Sequence, residues 1–205
     1  MGLRPSGQLI ETDKSGLVAG YVGQTALKTS EVVKKAIGGV LFIDEAYALV
    51  RSEQSASDFD AFGQEAIDTL LKAMEDNRDQ FVVIVAGYTA PMQHFLASNP
   101  GLQSRFTRFI DFPDYSPNEL LKIFSDLTSR QGYTLADDAL QHANDLLEQA
   151  YQRRGGRFGN ARLVRTMFER ATVRLSDRLA QDADITREEL TTLHAEDIEL
   201  PRENC

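Results

Sequence analysis

The sequence predicts an α/β domain on a mostly parallel sheet, followed by a small helical domain. Three observations carry this reading. Residues 40–43 (Val-Leu-Phe-Ile) and 81–86 (Phe-Val-Val-Ile-Val-Ala) are continuously apolar and rich in β-branched side chains, as in strands buried on both faces of a parallel sheet. Amphipathic stretches of helical period lie between and after them, the pattern of strand–helix–strand units. Beyond Pro113 the strand-like runs stop and helical periodicity takes over.

The elements follow in order. Residues 8–12 are a short strand candidate. Residues 25–37 read as a helix, with Val32, Val33 and Ala36 at helical spacing, ended by Gly38-Gly39. The strand at 40–43 comes next. Residues 62–75 are amphipathic, with Ala66, Leu70 and Met74 on one face beside Ile67 and Leu71. After the strand at 81–86, residues 91–97 form a short helix and Asn99-Pro100-Gly101 marks a turn. Residues 108–112 read as a further strand, closed by Pro113. Ser116-Pro117-Asn118-Glu119 then supplies an N-cap, a proline at the first helical position and a glutamate at the third. Helices are expected over 116–130, 136–153 and 160–179, the last with Val164, Phe168, Ala171, Leu175 and Leu179 in one stripe. The expected divisions are 1–113 for the α/β part, 114–180 for the helical part and 181–205 for an acidic tail with a short helix at 186–193.

A chain of 205 residues suffices for one core plus a small appended domain. Hydrophobic content of 42% and charged content of 26% are those of a soluble globular protein. No apolar run approaches the roughly 20 residues of a membrane span, so no membrane role is expected. Residues 1–8 lack a long apolar segment behind a basic start, so no signal peptide is expected. The only cysteine is Cys205, which fits a reducing cytoplasm. The formal charge of -9 is uneven: residues 181–205 carry -6, while eight arginines and two acids lie between Arg153 and Arg178. An acidic chain argues against duplex DNA as a partner. The arginine cluster suits phosphate or carboxylate contacts, or a solvated helix face. His94, His142 and His194 are scattered without metal-ligand spacing.

The strongest local signal is Gly39-Val40-Leu41-Phe42-Ile43-Asp44-Glu45. It places two carboxylates at the carboxyl edge of a parallel sheet, where open α/β sheets bind ligands. The first carboxylate suits Mg²⁺. The second suits a water attacking a nucleotide γ-phosphate. This is the Walker B pattern, although acids also follow buried strands without any such role.

Further segments agree with it in type and order: Leu17 to Ala26, Gly38 to Tyr47, Ala86-Gly87-Tyr88, Ser98 to Phe106, Asp111 to Ser116 and Phe158 to Arg165. On these motifs the chain resembles the AAA+ ATPase family, in the branch with stage V sporulation protein K and the red-type Rubisco activase CbbX. The match runs over about residues 5 to 180. The resemblance implies ATP and Mg²⁺ as cofactors, with Asp44 holding the metal and Glu45 activating water. Arg105 matches the arginine finger that reaches a neighbouring subunit's γ-phosphate, with Arg108 a nearby competitor. Arg162 resembles sensor 2, with Arg165 one helical turn on as the alternative. Tyr88 falls at the sensor 1 position, where the wider family has a small polar residue or Asn; a tyrosine packed at the strand end is the other reading. Tyr21, Val22 and Gly23 resemble the pore loop that grips a polypeptide in the channel of a ring. The implied partners are a threaded protein substrate and, for the complete protein, a homo-hexamer, with no nucleic acid.

The phosphate-binding pattern Gly-x-x-x-x-Gly-Lys-Ser/Thr occurs nowhere in the sequence. In the family this loop follows the first strand of a sheet ordered 5-1-4-3-2. The resemblance therefore implies a partial AAA+ parallel-sheet domain, lacking strand 1 and the P-loop, ahead of its helical lid. The absent strand would lie between residues 81–86 and 108–112. Those two segments would then pair directly, receive a strand from another chain, or belong to a fragment of a longer gene, which is the expectation taken. The functional expectation is a module of an ATP-hydrolysing, ring-forming remodelling machine whose activity is latent or absent in this chain alone. The alternative is a non-catalytic scaffold that offers Arg105 in trans.

Overall fold

A computed structural model describes residues 7–21, 23–50, 61–155, 158–180 and 184–201. The chain divides into two compact units, residues 1–111 and 112–205.

The first unit is built on three parallel strands, β1 (Leu9–Thr12), β2 (Val40–Ile43) and β3 (Val82–Val85), in the spatial order β1-β2-β3. Val40 stands beside Leu9 on one side and Val82 on the other, and Ile43 beside Thr12 and Val85. The short helix α1 (Lys14–Leu17) and α2 (Thr25–Ala36) connect β1 to β2, and α3 (Ala61–Asp76) precedes β3. Helices α4 (Thr89–Ala97) and α5 (Pro100–Arg105) follow. Both crossovers step across the sheet in the same direction, so right-handed connections put α2 and α3 on one face. Leu41 and Ile43 point into that face and are fully buried with Leu17, Ala36, Ile67 and Phe95.

The opposite face departs from expectation. The continuous apolar runs predict strands covered on both sides, yet β3 alternates between exposed and half-buried residues. Leu9, Val82 and Ile84, aligned by the strand register, are 54%, 41% and 44% exposed. Apolar content describes what a strand tolerates; coverage depends on where the connecting helices go.

The strand expected at 108–112 is also corrected. Residues 106–116 have no regular structure, and Phe109 and Ile110 are 70% and 73% exposed. A strand exists only with a partner for its backbone N–H and C=O groups. Among the described residues β3 pairs with β2 alone, so direct pairing of the two segments does not occur.

The second unit contains α6 (Pro117–Arg130), α7 (Asp137–Gln152) and α8 (Asn160–Leu179). The Ser116 hydroxyl accepts the N–H of Glu119, and Glu119 accepts the N–H of Ser116 at 2.8 Å, with Pro117 opening the helix. A short parallel pairing joins β4 (Thr134–Leu135) to β5 (Thr192–Leu193). The core contains Leu120, Phe124, Leu147, Met167 and the α8 stripe.

The expected acidic tail is a further correction. Over residues 184–201 the chain returns to the helices, and Leu193 and Ile198 are buried in the same core. In place of the short helix at 186–193 there is a 3-10 turn at Glu189–Thr191 and then β5. Its acids meet the arginines of α8. Arg178 donates to both oxygens of Asp197, at 3.0 and 2.8 Å, and Arg170 and Arg174 meet Glu199 at 3.1 and 2.7 Å. Among the described residues no helix is long and apolar enough to cross a membrane.

Candidate functional site

Asp44 and Glu45 lie directly beyond the carboxyl end of β2. The N–H of Asp44 donates to the Thr12 carbonyl at 2.8 Å, which extends the β1–β2 ladder by one residue. The chain then turns sharply. Glu45 has φ 50 and ψ 40, the left-handed conformation, and a 3-10 turn follows at Ala46–Leu49. For a residue with a Cβ this conformation costs about 1–2 kcal/mol. Three contacts hold it: Asp44 Oδ1 accepts the N–H of Glu45 at 3.0 Å, Ala46 donates to the Ala86 carbonyl at 3.1 Å, and the Ala46 side chain is fully buried. Backbone strain maintained by its surroundings is a mark of functional positions. Asp44 is exposed and Glu45 half-buried.

The end of β3 packs on this turn. The rings of Tyr47 and Tyr88 lie 6.5 Å apart at 47°, and Tyr88 is 53% exposed. A Cβ on Gly87 would come within 2.7 Å of the Tyr47 ring and 2.9 Å of Met92 Sδ, so one of these side chains would have to shift. Asp44, Glu45 and Tyr88 are therefore brought to one sheet edge. Tyr47 is the link between them, and the sequence shows it only as one aromatic after an acidic pair.

Arg105 ends α5. Its Nη2 donates to Glu75 Oε2 at 3.1 Å, and its Nη1 approaches the Gly101 carbonyl at 3.4 Å. Glu75 also pairs with Arg78 at 2.7 Å. Hydrogen bonds from Arg78, and the charges of Arg78 and Arg105, hold the Glu75 carboxyl below its ordinary range. Arg108, the competitor, is exposed in the irregular segment.

Tyr21 is 74% exposed. The N–H of Gln24 closes back on its carbonyl at 3.3 Å, and Gly23 has φ 80, a conformation that tight turns reserve for glycine. Val22 lies outside the described residues.

In the second unit Arg162 and Arg165 are exposed on the first turns of α8, with no ion pair among the described residues. Arg154, Arg170, Arg174 and Arg178, by contrast, are paired with acids of their own unit. Asn160 opens α8 at φ 47 and uses its side chain twice: Oδ1 accepts the N–H of Tyr115 at 2.9 Å, and Nδ2 donates to Asp114 at 2.7 Å. This clamp fixes the helix start that carries Arg162.

The first unit carries an acidic pair at a parallel-sheet edge, and the second carries Arg162 and Arg165 exposed at the start of α8. Comparison with known proteins gives the family. Residues 4–114 match the family described as ATPases associated with various cellular activities (AAA), and residues 116–205 match the AAA lid domain. The chain belongs to the AAA family, as a parallel-sheet α/β domain followed by its helical lid. It is 40% identical over 204 residues to stage V sporulation protein K of Bacillus subtilis, covering 99% of this chain and 62% of that protein. It is 41% identical over 207 residues to protein CbbX of Cereibacter sphaeroides, covering 98% and 64%. To the chloroplastic ribulose bisphosphate carboxylase/oxygenase activase of Cyanidioschyzon merolae it is 41% identical over 204 residues, covering 97% and 66%. The chain thus spans less than two thirds of the length of these relatives. A Thermotoga maritima RuvB mutant shares the fold at a TM-score of 0.60 and 17% identity, over 93% of this chain and 51% of that one.

Proposed function

We propose that this chain is the hydrolysis-side portion of a Mg²⁺- and ATP-dependent AAA+ machine that assembles as a ring and remodels a protein partner. The observation that carries this reading is the strained Glu45, held directly after Asp44 at the carboxyl edge of β2. Asp44 fits Mg²⁺, an ion that keeps most of its waters and needs only one or two protein carboxylates. The described residues contain no cluster of three or more His, Cys, Asp or Glu that would cage a metal. The bound ion would supply charge neutralisation at the nucleotide phosphates. Glu45 would accept the proton of the attacking water.

Arg105 would serve a neighbouring subunit, its guanidinium offsetting charge that develops on the γ-phosphate. Arg162, or Arg165 one turn further on, would contact the nucleotide of its own subunit, and Tyr88 would stand at its edge. Tyr21, Val22 and Gly23 would grip a polypeptide in the channel of a hexamer. The relative named as a ribulose bisphosphate carboxylase/oxygenase activase supports a protein as the object of the work. The Gly-x-x-x-x-Gly-Lys-Ser/Thr loop that cradles phosphates is not in these 205 residues, so their chemistry is latent until such a loop is supplied.

The test joins the chain to a segment carrying a phosphate-binding loop and measures Mg-ATP binding and turnover. Glu45→Gln should keep binding and lower turnover by about 10²–10⁴-fold, the usual contribution of a general base. Unchanged turnover would refute Glu45 as the base. The 205 residues alone should bind Mg-ATP more weakly than millimolar by calorimetry, and tighter binding would sink the latency reading.

A further inference from the structure

Arg105 is not free to act. Helix α5 and its cap lie along one face of α3 through contacts spaced by helical turns. Asn99 Nδ2 donates to Asp68 at 3.4 Å, a Cβ on Gly101 would meet Leu71 Cδ1 at 2.9 Å, and Arg105 meets Glu75 at 3.1 Å. Positions 68, 71 and 75 fall on one helical face, so α3 is the bed on which the arginine is mounted. Glu75 also holds Arg78, whose Nη2 reaches both carboxylate oxygens at 2.7 and 2.8 Å. Arg78 is thus the nearer claimant on that carboxylate.

A carboxylate and a phosphate compete for the same guanidinium edges. The Glu75 and Arg105 side chains are 45% and 29% exposed, so an incoming anion can reach the pair, and an exposed pair of this kind is weak enough to exchange. We propose that Glu75 restrains Arg105 against its own subunit and that Arg78 loosens this restraint by sharing the carboxylate. The Glu75–Arg78 pair then sets how readily Arg105 is released to the phosphate of a nucleotide on a neighbouring subunit. This rests on the reading of Arg105 as a finger acting in trans. Glu75 and Arg78 are positioning residues; neither touches the nucleotide.

The test is steady-state ATP turnover of the ATPase-competent assembly described above. Glu75→Gln should raise kcat about two- to fivefold, the range of exposed ion pairs, with KM for ATP unchanged. Arg78→Gln should lower kcat by a similar factor, because Glu75 then holds Arg105 unshared. The double variant should match Glu75→Gln alone, since Arg78 acts only through Glu75; a merely structural role would give additive effects. Glu75→Asp, which withdraws the carboxylate by one methylene, should raise kcat as well and serves if the glutamine variant misfolds. Arg105→Ala should lower kcat by about 10³-fold or more. An inactive Arg105→Ala combined with an unchanged or lowered kcat in the Glu75 variants overturns the restraint and leaves the finger standing. An active Arg105→Ala, or no turnover in the unmodified assembly, removes the finger reading and the restraint with it.

Discussion

In the helical unit the apolar stripe of α8 is closed over by α6, α7 and the returning segment 184–201, whereas in the sheet unit Leu9, Val82 and Ile84 stand on a face that no described element covers. The difference comes from topology. Three helices with a returning segment surround a core from several directions. A sheet whose strands step one way receives its crossover helices on one face only. In the sheet unit β3 has no strand partner on its outer edge among the described residues. The unit that carries the proposed chemistry thus leaves one face of its sheet apolar and uncovered by any described element.

The sharpest test contrasts two side chains. Phe124 is fully buried in the helical unit, and Phe124→Ala should cost about 3–5 kcal/mol in urea unfolding. Ile84→Ala on the open face should cost less, about 1 kcal/mol, because Ile84 is already 44% exposed. An equally large loss at Ile84 would mean that something covers that face in solution. Next comes the returning segment. Asp197 is 1% exposed and accepts from Arg178 twice and from the His194 N–H at 2.8 Å, so Asp197→Ala should cost about 2–3 kcal/mol by the same measurement. A loss near zero would make 184–201 a loose tail after all.

A smaller effect is read by pH in the helical unit. Bonds from the Ser116 N–H and hydroxyl hold the Glu119 carboxyl below its ordinary range. A depressed folded value means the stabilisation is present above the unfolded carboxylate range, near pH 4–5, and is lost as pH falls through the lower folded value. The melting temperature of the helical unit should therefore fall more steeply below about pH 5 in the native sequence than in Glu119→Gln. Parallel curves would remove the cap from the account. Smallest of all in stability is Val82→Lys with Ile84→Lys, which should change unfolding by under about 0.5 kcal/mol per site while reducing self-association in sedimentation. Undiminished association would place the sticky surface elsewhere.

Much of this architecture is readable from local pattern. The α8 stripe and the Ser116–Glu119 cap are visible because a helix satisfies its own backbone and shows its buried face as a period. Asp44-Glu45 is visible because a buried strand that ends in acids is a local event. Residues 108–112 misled for the opposite reason: their apolar, β-like composition is real, but strand formation belongs to a pair. The acids at 196, 197 and 199 read as part of an acidic tail because charge alone does not show that Arg170, Arg174 and Arg178 wait for them on α8.

Local spacing therefore suffices for the long helices, the strand cores and the acidic pair, and the family resemblance rests on motifs in fixed order over about residues 5 to 180. The third dimension was needed for everything that depends on chain segments meeting. It left one face of the sheet bare, folded the acidic end into the lid, put Glu45 into a left-handed turn against Ala86, and set Glu75 against an arginine 30 positions away. Period and composition report what a segment does with its own backbone, and they carry no record of which distant side chain will share its hydrogen bonds.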